Sequence, residues 1–148
     1  MSDDDKNDSA NQEEDLAARA EKEIVELHDF FAAYFRGELE KEAIKRFTDV
    51  LAPHFLIVDS LGTVSTRVET IQAVESMHNR RPEMRIWIEN VVVRPRGGRA
   101  LIVTYEEWQT IGEKTTMRYS TVIFVERETL PNGLQWLHVH ESGLRTAG

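Results

Sequence analysis

Hydrophobic positions along this chain follow two rhythms, a helical one in the first half and an alternating one in the second. Between Leu16 and Arg36, the residues Leu16, Ala20, Ile24, Leu27, Phe31 and Tyr34/Phe35 recur at spacings of three and four. That pattern predicts one amphipathic helix, closed by Gly37 at C′. A second helix is predicted over 39–51, where Ala43, Ile44, Phe47, Val50 and Leu51 share a side and Pro53 stops the run. His54–Asp59 reads as a short strand, turned by Ser60-Leu61-Gly62 into a partner over 63–65. Thr66-Arg67-Val68-Glu69 has the capping-box spacing and opens a third helix to about His78, with Val68, Ile71, Val74 and Met77 inward.

From Arg85 the period becomes two. Strands are predicted over 85–94, 100–110, 115–127 and 134–143. Gly97-Gly98, Gly112-Glu113-Lys114 and Pro131-Asn132-Gly133 supply short turns, so the four strands form an antiparallel meander. Helices segregated from such a sheet define an α+β fold: three N-terminal helices against a curved, mostly antiparallel sheet.

The last strand, L-Q-W-L-H-V-H-E-S-G, is the least ordinary. Strict alternation places Trp136, His138, His140 and Ser142 on one face and Leu137, Val139 and Glu141 on the other. Neither face is wholly apolar or wholly polar. Mixed faces occur where a sheet lines a cavity or meets another subunit.

Composition narrows the function classes. The 148 residues carry a formal charge of −8, and Met1–Asp15 holds seven acidic residues against one lysine. Such a segment buries too little apolar surface to offset its ordering entropy, which predicts a disordered acidic tail over 1–15 and a single domain over 16–148. No broad basic field exists to attract nucleic acid or anionic lipid. Cysteine is absent, which excludes disulfides, thiolate nucleophiles and zinc-thiolate sites. No apolar run approaches a membrane span, and the acidic N-terminus lacks a signal pattern, so a cytoplasmic protein is expected.

This element order, with Trp136 and the H-x-H-x-S-G of His138, His140, Ser142 and Gly143, resembles the nuclear transport factor 2-like superfamily over residues 16–143. Within it, the chain looks like the association (hub) domain of calcium/calmodulin-dependent kinases and like small bacterial SnoaL-like proteins. The resemblance implies a cystatin-like cone, its sheet wrapped around the long first helix, and a homodimer or higher homo-oligomer. It also implies that Leu137, Val139 and Glu141 point into the cone. His138, His140 and Ser142 would then lie on the outer face that packs against a second subunit. Two pocket arginines of the hub fall near Glu106 and Val122 here, so that cationic pocket is not matched. In ketosteroid isomerase-like members a general-base aspartate precedes a turn, as Asp59 does. The oxyanion tyrosine of those members falls at Phe30, and Tyr34 lies one turn away.

Two functions from different classes follow. One is a homo-oligomeric domain with a small-molecule pocket used for ligand binding or assembly. Its candidate lining is Phe30, Tyr34, Asp59, His78, Glu106, Trp108, Arg118, Val122 and Glu141. The other is an isomerase, cyclase or dehydratase with Asp59 as general base and Tyr34 or a protonated Glu141 as proton donor. If Asp59, Glu106 and Glu141 converge in one apolar cavity, repulsion and desolvation raise at least one of their pKa values. Alternatively Asp59 caps a turn, Glu106 pairs with Arg118 across strands and Glu141 sits at a wet rim. His138 and His140 share a face but lack a third convergent ligand, so no metal and no cofactor is expected. Ser142 has no nucleophile elbow beside it.

Overall fold

A computed structural model describes residues 3–95 and 98–147. Arg96 and Gly97, at the first of the expected glycine turns, lie outside the described residues, as do Met1, Ser2 and Gly148. The chain runs α1 (Asp3–Arg36), a 3-10 turn (Lys41–Ile44), α2 (Lys45–Thr48), β1 (Leu51–Val58), β2 (Val64–Thr66), α3 (Arg67–Ser76), β3 (Arg85–Pro95), β4 (Ala100–Ile111), β5 (Lys114–Glu126), β6 (Leu134–Glu141) and β7 (Arg145–Ala147). The expected α+β architecture is present, with the sheet order β2-β1-β6-β5-β4-β3 and β7 on the flank of β5.

The first helix begins at Asp3, so the segment expected to be a disordered tail is helical as far as it is described. Extending a formed helix avoids the nucleation cost, and the Arg19–Asp15 pair at i,i+4 supports the junction. Residues 11–15 remain exposed, as their composition requires. Downstream, Ala20, Ile24, Leu27, Phe30 and Tyr34 bury one stripe of α1 in the main core. Gly37 closes the helix at φ 83°, and its N–H donates to the Tyr34 carbonyl. A side chain at Gly37 would strike Asn79, which makes the glycine necessary twice over.

The second helix is shorter than its apolar pattern suggests. It is one 3-10 turn followed by one α turn, and Leu51 already belongs to β1. Pro53 therefore sits inside a strand rather than stopping a helix. It is tolerated because the β1–β6 pairing skips from Leu51 to Leu56, leaving an irregularity where no ladder N–H is needed. Thr66 and Glu69 form the full capping box at the start of α3. Val68, expected inward, is 60% exposed; Ile71 and Val74 carry the contact with the core.

The meander pairs β3 to β4, β4 to β5 and β5 to β6, all antiparallel. The β1–β6 pair is parallel, so β1 lies far in sequence from its sheet neighbour. Two irregularities set the facing of side chains. One lies between Glu89 and Val92, at Asn90, whose φ is 55°. The other places Phe124 opposite Trp136 but Ile123 opposite His138, so Leu137 is an extra residue in β6. Leu134, Trp136, Val139 and Glu141 are consequently the buried set of β6. Trp136 is thus not on the face of the histidines, and Leu137 is not in the cone; it lies outside with His138.

Polar bonding fixes α1 against the turn before β6. Glu23 is fully buried on α1 and accepts hydrogen bonds from Trp136 Nε1 (2.8 Å), Arg46 Nη2 (2.7 Å) and Asn132 Nδ2 (3.0 Å). A carboxylate removed from water is tolerable only with this density of donors.

Candidate functional site

Between α1 and the concave side of the sheet lies a half-open cavity of about 190 Å³. Alpha-helix 1 contributes Leu27, His28, Phe31 and Phe35, and α2 contributes Phe47. The sheet contributes Leu51, Phe55 and Ile57 from β1, Ile86 from β3, and Trp136, Val139 and Glu141 from β6. Strand β4 presents Tyr105, Glu107 and Gln109, consecutive inward positions of an alternating strand. The outer part of the opening is lined by Ser65, Ala73, Met77 and Arg118, with Phe35, Ile57, Thr70, Val74 and Glu141 common to both.

The walls are aromatic and aliphatic, whereas the floor is charged. His28 Nδ1 lies 2.7 Å from the Ile24 carbonyl and its Nε2 lies 2.9 Å from Glu107 Oε1. A carbonyl only accepts, so Nδ1 carries a proton; facing an ionised carboxylate, Nε2 carries one too. Burial opposes that imidazolium, but the bond and charge of Glu107 outweigh it and raise the His28 pKa above its ordinary value. Burial equally opposes the Glu107 carboxylate. His28, Arg118 and Gln109 overcome it, and the Glu107 pKa falls to about 2. Arg118 donates from Nη1 to Glu141 Oε2 at 3.1 Å, while its Nε lies 3.6 Å from Glu107 Oε2. Glu141 differs from Glu107: desolvation dominates, and the charge of Glu107 adds to it. Its pKa is raised despite the Arg118 bond.

The floor is therefore a chain of alternating charge, His28–Glu107–Arg118–Glu141, balanced in sign. Sequence reasoning placed Glu141 and Arg118 in the site but missed His28 and Glu107. The signal for Glu107 was its position on β4, in phase with the buried Leu101, Val103 and Tyr105. For His28 it was helical adjacency to Leu27 and Phe31, which the apolar stripe flanks.

The other expected pocket residues lie elsewhere. Asp59 Oδ1 accepts from the N–H groups of Leu61 and Thr63, both at 2.9 Å, which makes it the organiser of the β1–β2 turn. Glu106 lies on the outer face and accepts from Asn90, Trp108 and Tyr119. It is one residue out of phase with the cavity, and Arg118 stands opposite Glu107. Trp108 shares that outer face and stacks on Trp87. Tyr34 is fully buried, its hydroxyl donating to the Lys41 carbonyl, and Phe30 stacks against it in the core. Val122 is likewise core. His78 Nε2 contacts the Leu39 carbonyl at 2.7 Å and its ring lies against Tyr34. Asp59, Tyr34 and Glu141 thus do not converge. His138, His140 and Ser142 do lie on the outer face, in a shallow groove with Tyr119, Thr121 and Ile123. Among the described residues no group of three His, Cys, Asp or Glu side chains is placed to hold a metal, and no helix is long and apolar enough to cross a membrane.

A concave sheet wrapped on one long helix, with a cavity between them, is the nuclear transport factor 2-like fold. It is shared with a nuclear transport factor 2-like protein of unknown function from Pseudomonas aeruginosa (22% identity, TM-score 0.74, covering 89% of this chain and 99% of that one). It is also shared with the CaMKII hub of S. rosetta (20%, TM-score 0.56, covering 74% and 91%). Within that fold, the chain belongs to the sucrose-6-phosphate phosphohydrolase C-terminal family, which it matches over residues 20–145. Sucrose-phosphatase 1 and 2 of Nicotiana tabacum are each 26% identical over 130 residues, 84% of this chain. The chain spans about a third (31%) of the length of these relatives.

Proposed function

We propose that this domain is a homo-oligomeric binding module: a small molecule occupies the cavity between α1 and the sheet, and a second copy covers the outer face of β5 and β6. The observation that carries the first half is the cavity itself, apolar-walled, open on one side and floored by a fixed ion chain. Such a combination of greasy walls and a few oriented polar groups is the usual build of a ligand site. The second half is supported by the outer face. There Ile123, Val125 and Leu137 form an apolar groove beside His138, continuous with the groove holding His140 and Ser142. It is supported also by hub and association domains among the similar structures.

Sucrose phosphate hydrolysis belongs to the relatives as whole proteins. The matched family is defined on their C-terminal portion, so the role we carry over is that of an accessory portion that binds or assembles. Acid/base chemistry with Asp59 is not favoured, because the Asp59 carboxylate is committed to its own turn.

Light scattering coupled to size exclusion, run on the whole chain, tests the assembly half. A dimer or larger species at micromolar concentration is expected, and Ile123→Lys should shift it toward monomer. A wild-type monomer removes the assembly half. Thermal shift with a small-molecule library tests the binding half; stabilising compounds should lose their effect when Phe47→Trp fills the cavity.

A further inference from the structure

Two buried polar atoms beside the ion chain have no hydrogen-bond partner among the described residues: Arg118 Nε and the Ser120 hydroxyl oxygen. Native interiors leave few such atoms, and each calls for a physical reason. Arg118 Nε lies 3.6 Å from Glu107 Oε2, beyond hydrogen-bond reach, while Nη1 of the same guanidinium donates to Glu141 Oε2 at 3.1 Å. Arg118 stands opposite Glu107 in the β4–β5 register, yet its short bond runs the other way, to β6. Ser120 stands opposite Tyr105 on one side and Glu141 on the other, and all three are buried. Paired residues of neighbouring strands share a face, so the hydroxyl sits between those two side chains. The Glu141 carboxylate, held by Arg118, makes no bond to it.

One second arrangement satisfies both atoms. A protonated Glu141 loses the charge that holds Arg118, and Glu107 is then the remaining carboxylate of the chain. Arg118 closes the gap to Glu107, whose Oε2 can accept a second donor beside Gln109. The released Glu141 carboxyl donates its new proton to the Ser120 oxygen. Burial favours that protonated form and raises the Glu141 pKa above 4.5, against the charge of Arg118 and with that of Glu107. Glu107 stays ionised, with its pKa at about 2. The titratable and charged groups facing Glu141 are Arg118 on β5, Glu107 and Tyr105 on β4, and His28 on α1. Around the opening, β1, β2 and α3 present only uncharged side chains, among them Ile57, Ser65, Thr70 and Met77. Arg118 and Glu141 line that opening from neighbouring strands, so the bond between them spans one side of it.

We propose that Arg118 is a two-position latch governing entry to the cavity: seated on Glu141 it narrows the opening, and once Glu141 has taken a proton from solvent it reseats on Glu107 and the opening widens. The latch rests on the ligand-binding half of the function proposed above and supplies its regulation.

Stopped-flow uptake of the neutral fluorophore phenylnaphthylamine by the full chain tests it. The association rate should rise by about fivefold or more between roughly pH 7.5 and pH 4.5. Glu141→Gln carries no charge and keeps an N–H for Ser120, so it should be fast at both ends of that range. Arg118→Met, which has no latch, should be fast and flat as well. A flat rate in the wild type would overturn the latch and leave the cavity standing. A pH dependence that persists in Glu141→Gln would assign the effect to His28 or another group and would also overturn it. Absence of uptake at every pH, in wild type and variants alike, would remove the cavity and the latch together. The Arg118 Nε–H resonance of the wild-type protein decides if either variant fails to fold. It should shift in step with the uptake rate as acid is added, and an unmoved resonance would overturn the reseating.

Discussion

His28 and Glu107, 79 residues apart in the chain, face each other across 2.9 Å in the interior, with side chains 5% and 10% exposed. That pair ties α1 to β4 beneath the cavity. It also makes the stability of the domain depend on pH in a defined direction. The Glu107 pKa is depressed from 4.5 to about 2, so its contribution is present above about pH 4.5 and is lost as pH falls toward 2. The His28 pKa is raised from 6.5, so its contribution is full below 6.5 and is lost as pH rises through the folded value. Both contributions are complete only between roughly pH 4.5 and 6.5. Thermal unfolding followed by circular dichroism should peak in that window, and His28→Gln should flatten the decline on its alkaline side.

Trp136→Phe keeps the ring that packs edge-on against Phe124 but removes the indole N–H that Glu23 accepts. Glu23 stays buried with one donor fewer. A loss of about 1–3 kcal/mol is expected in urea unfolding. A change within 0.5 kcal/mol would show that Arg46 and Asn132 satisfy Glu23 alone.

Gly37→Ala places a methyl group at positive φ and against Asn79. The strain and the clash should lower stability by more than about 1 kcal/mol. Combining it with Asn79→Gly, which removes the struck side chain and suits the positive φ of 57° at that position, relieves the clash and leaves the strain at position 37, so the double variant should recover part of the loss in the same unfolding experiment.

Asp59→Asn preserves a turn-capping oxygen. It should leave ligand-induced stabilisation unchanged and cost under about 1 kcal/mol. Abolished ligand response in a folded Asp59→Asn protein would restore Asp59 to the site.

The element order was legible because helical and alternating periods are strong signals over segments this long. Facing was less so, since it depends on single-residue slips. Alternation read straight through β6 puts Trp136 with the histidines, but the extra residue at Leu137 reverses everything before it. The Asn90 irregularity does the same to β3. On β4 no irregularity was involved; Glu106 and Glu107 are adjacent acids, and the phase of Leu101, Val103 and Tyr105 selects the second. The parallel β1–β6 pair, the irregularity that admits Pro53, and the burial of His28 beside Glu107 all arise from contacts distant in sequence. No local pattern reports those.

The imidazole titration of His28, followed by NMR in the wild-type chain and in Glu107→Gln, tests the charged floor most directly. A wild-type pKa above 6.5 that drops below 6.5 in the variant, where burial then dominates, is the predicted result. A wild-type His28 titrating below 6.5, or one unaffected by Glu107→Gln, would contradict the ion chain on which the binding site is built.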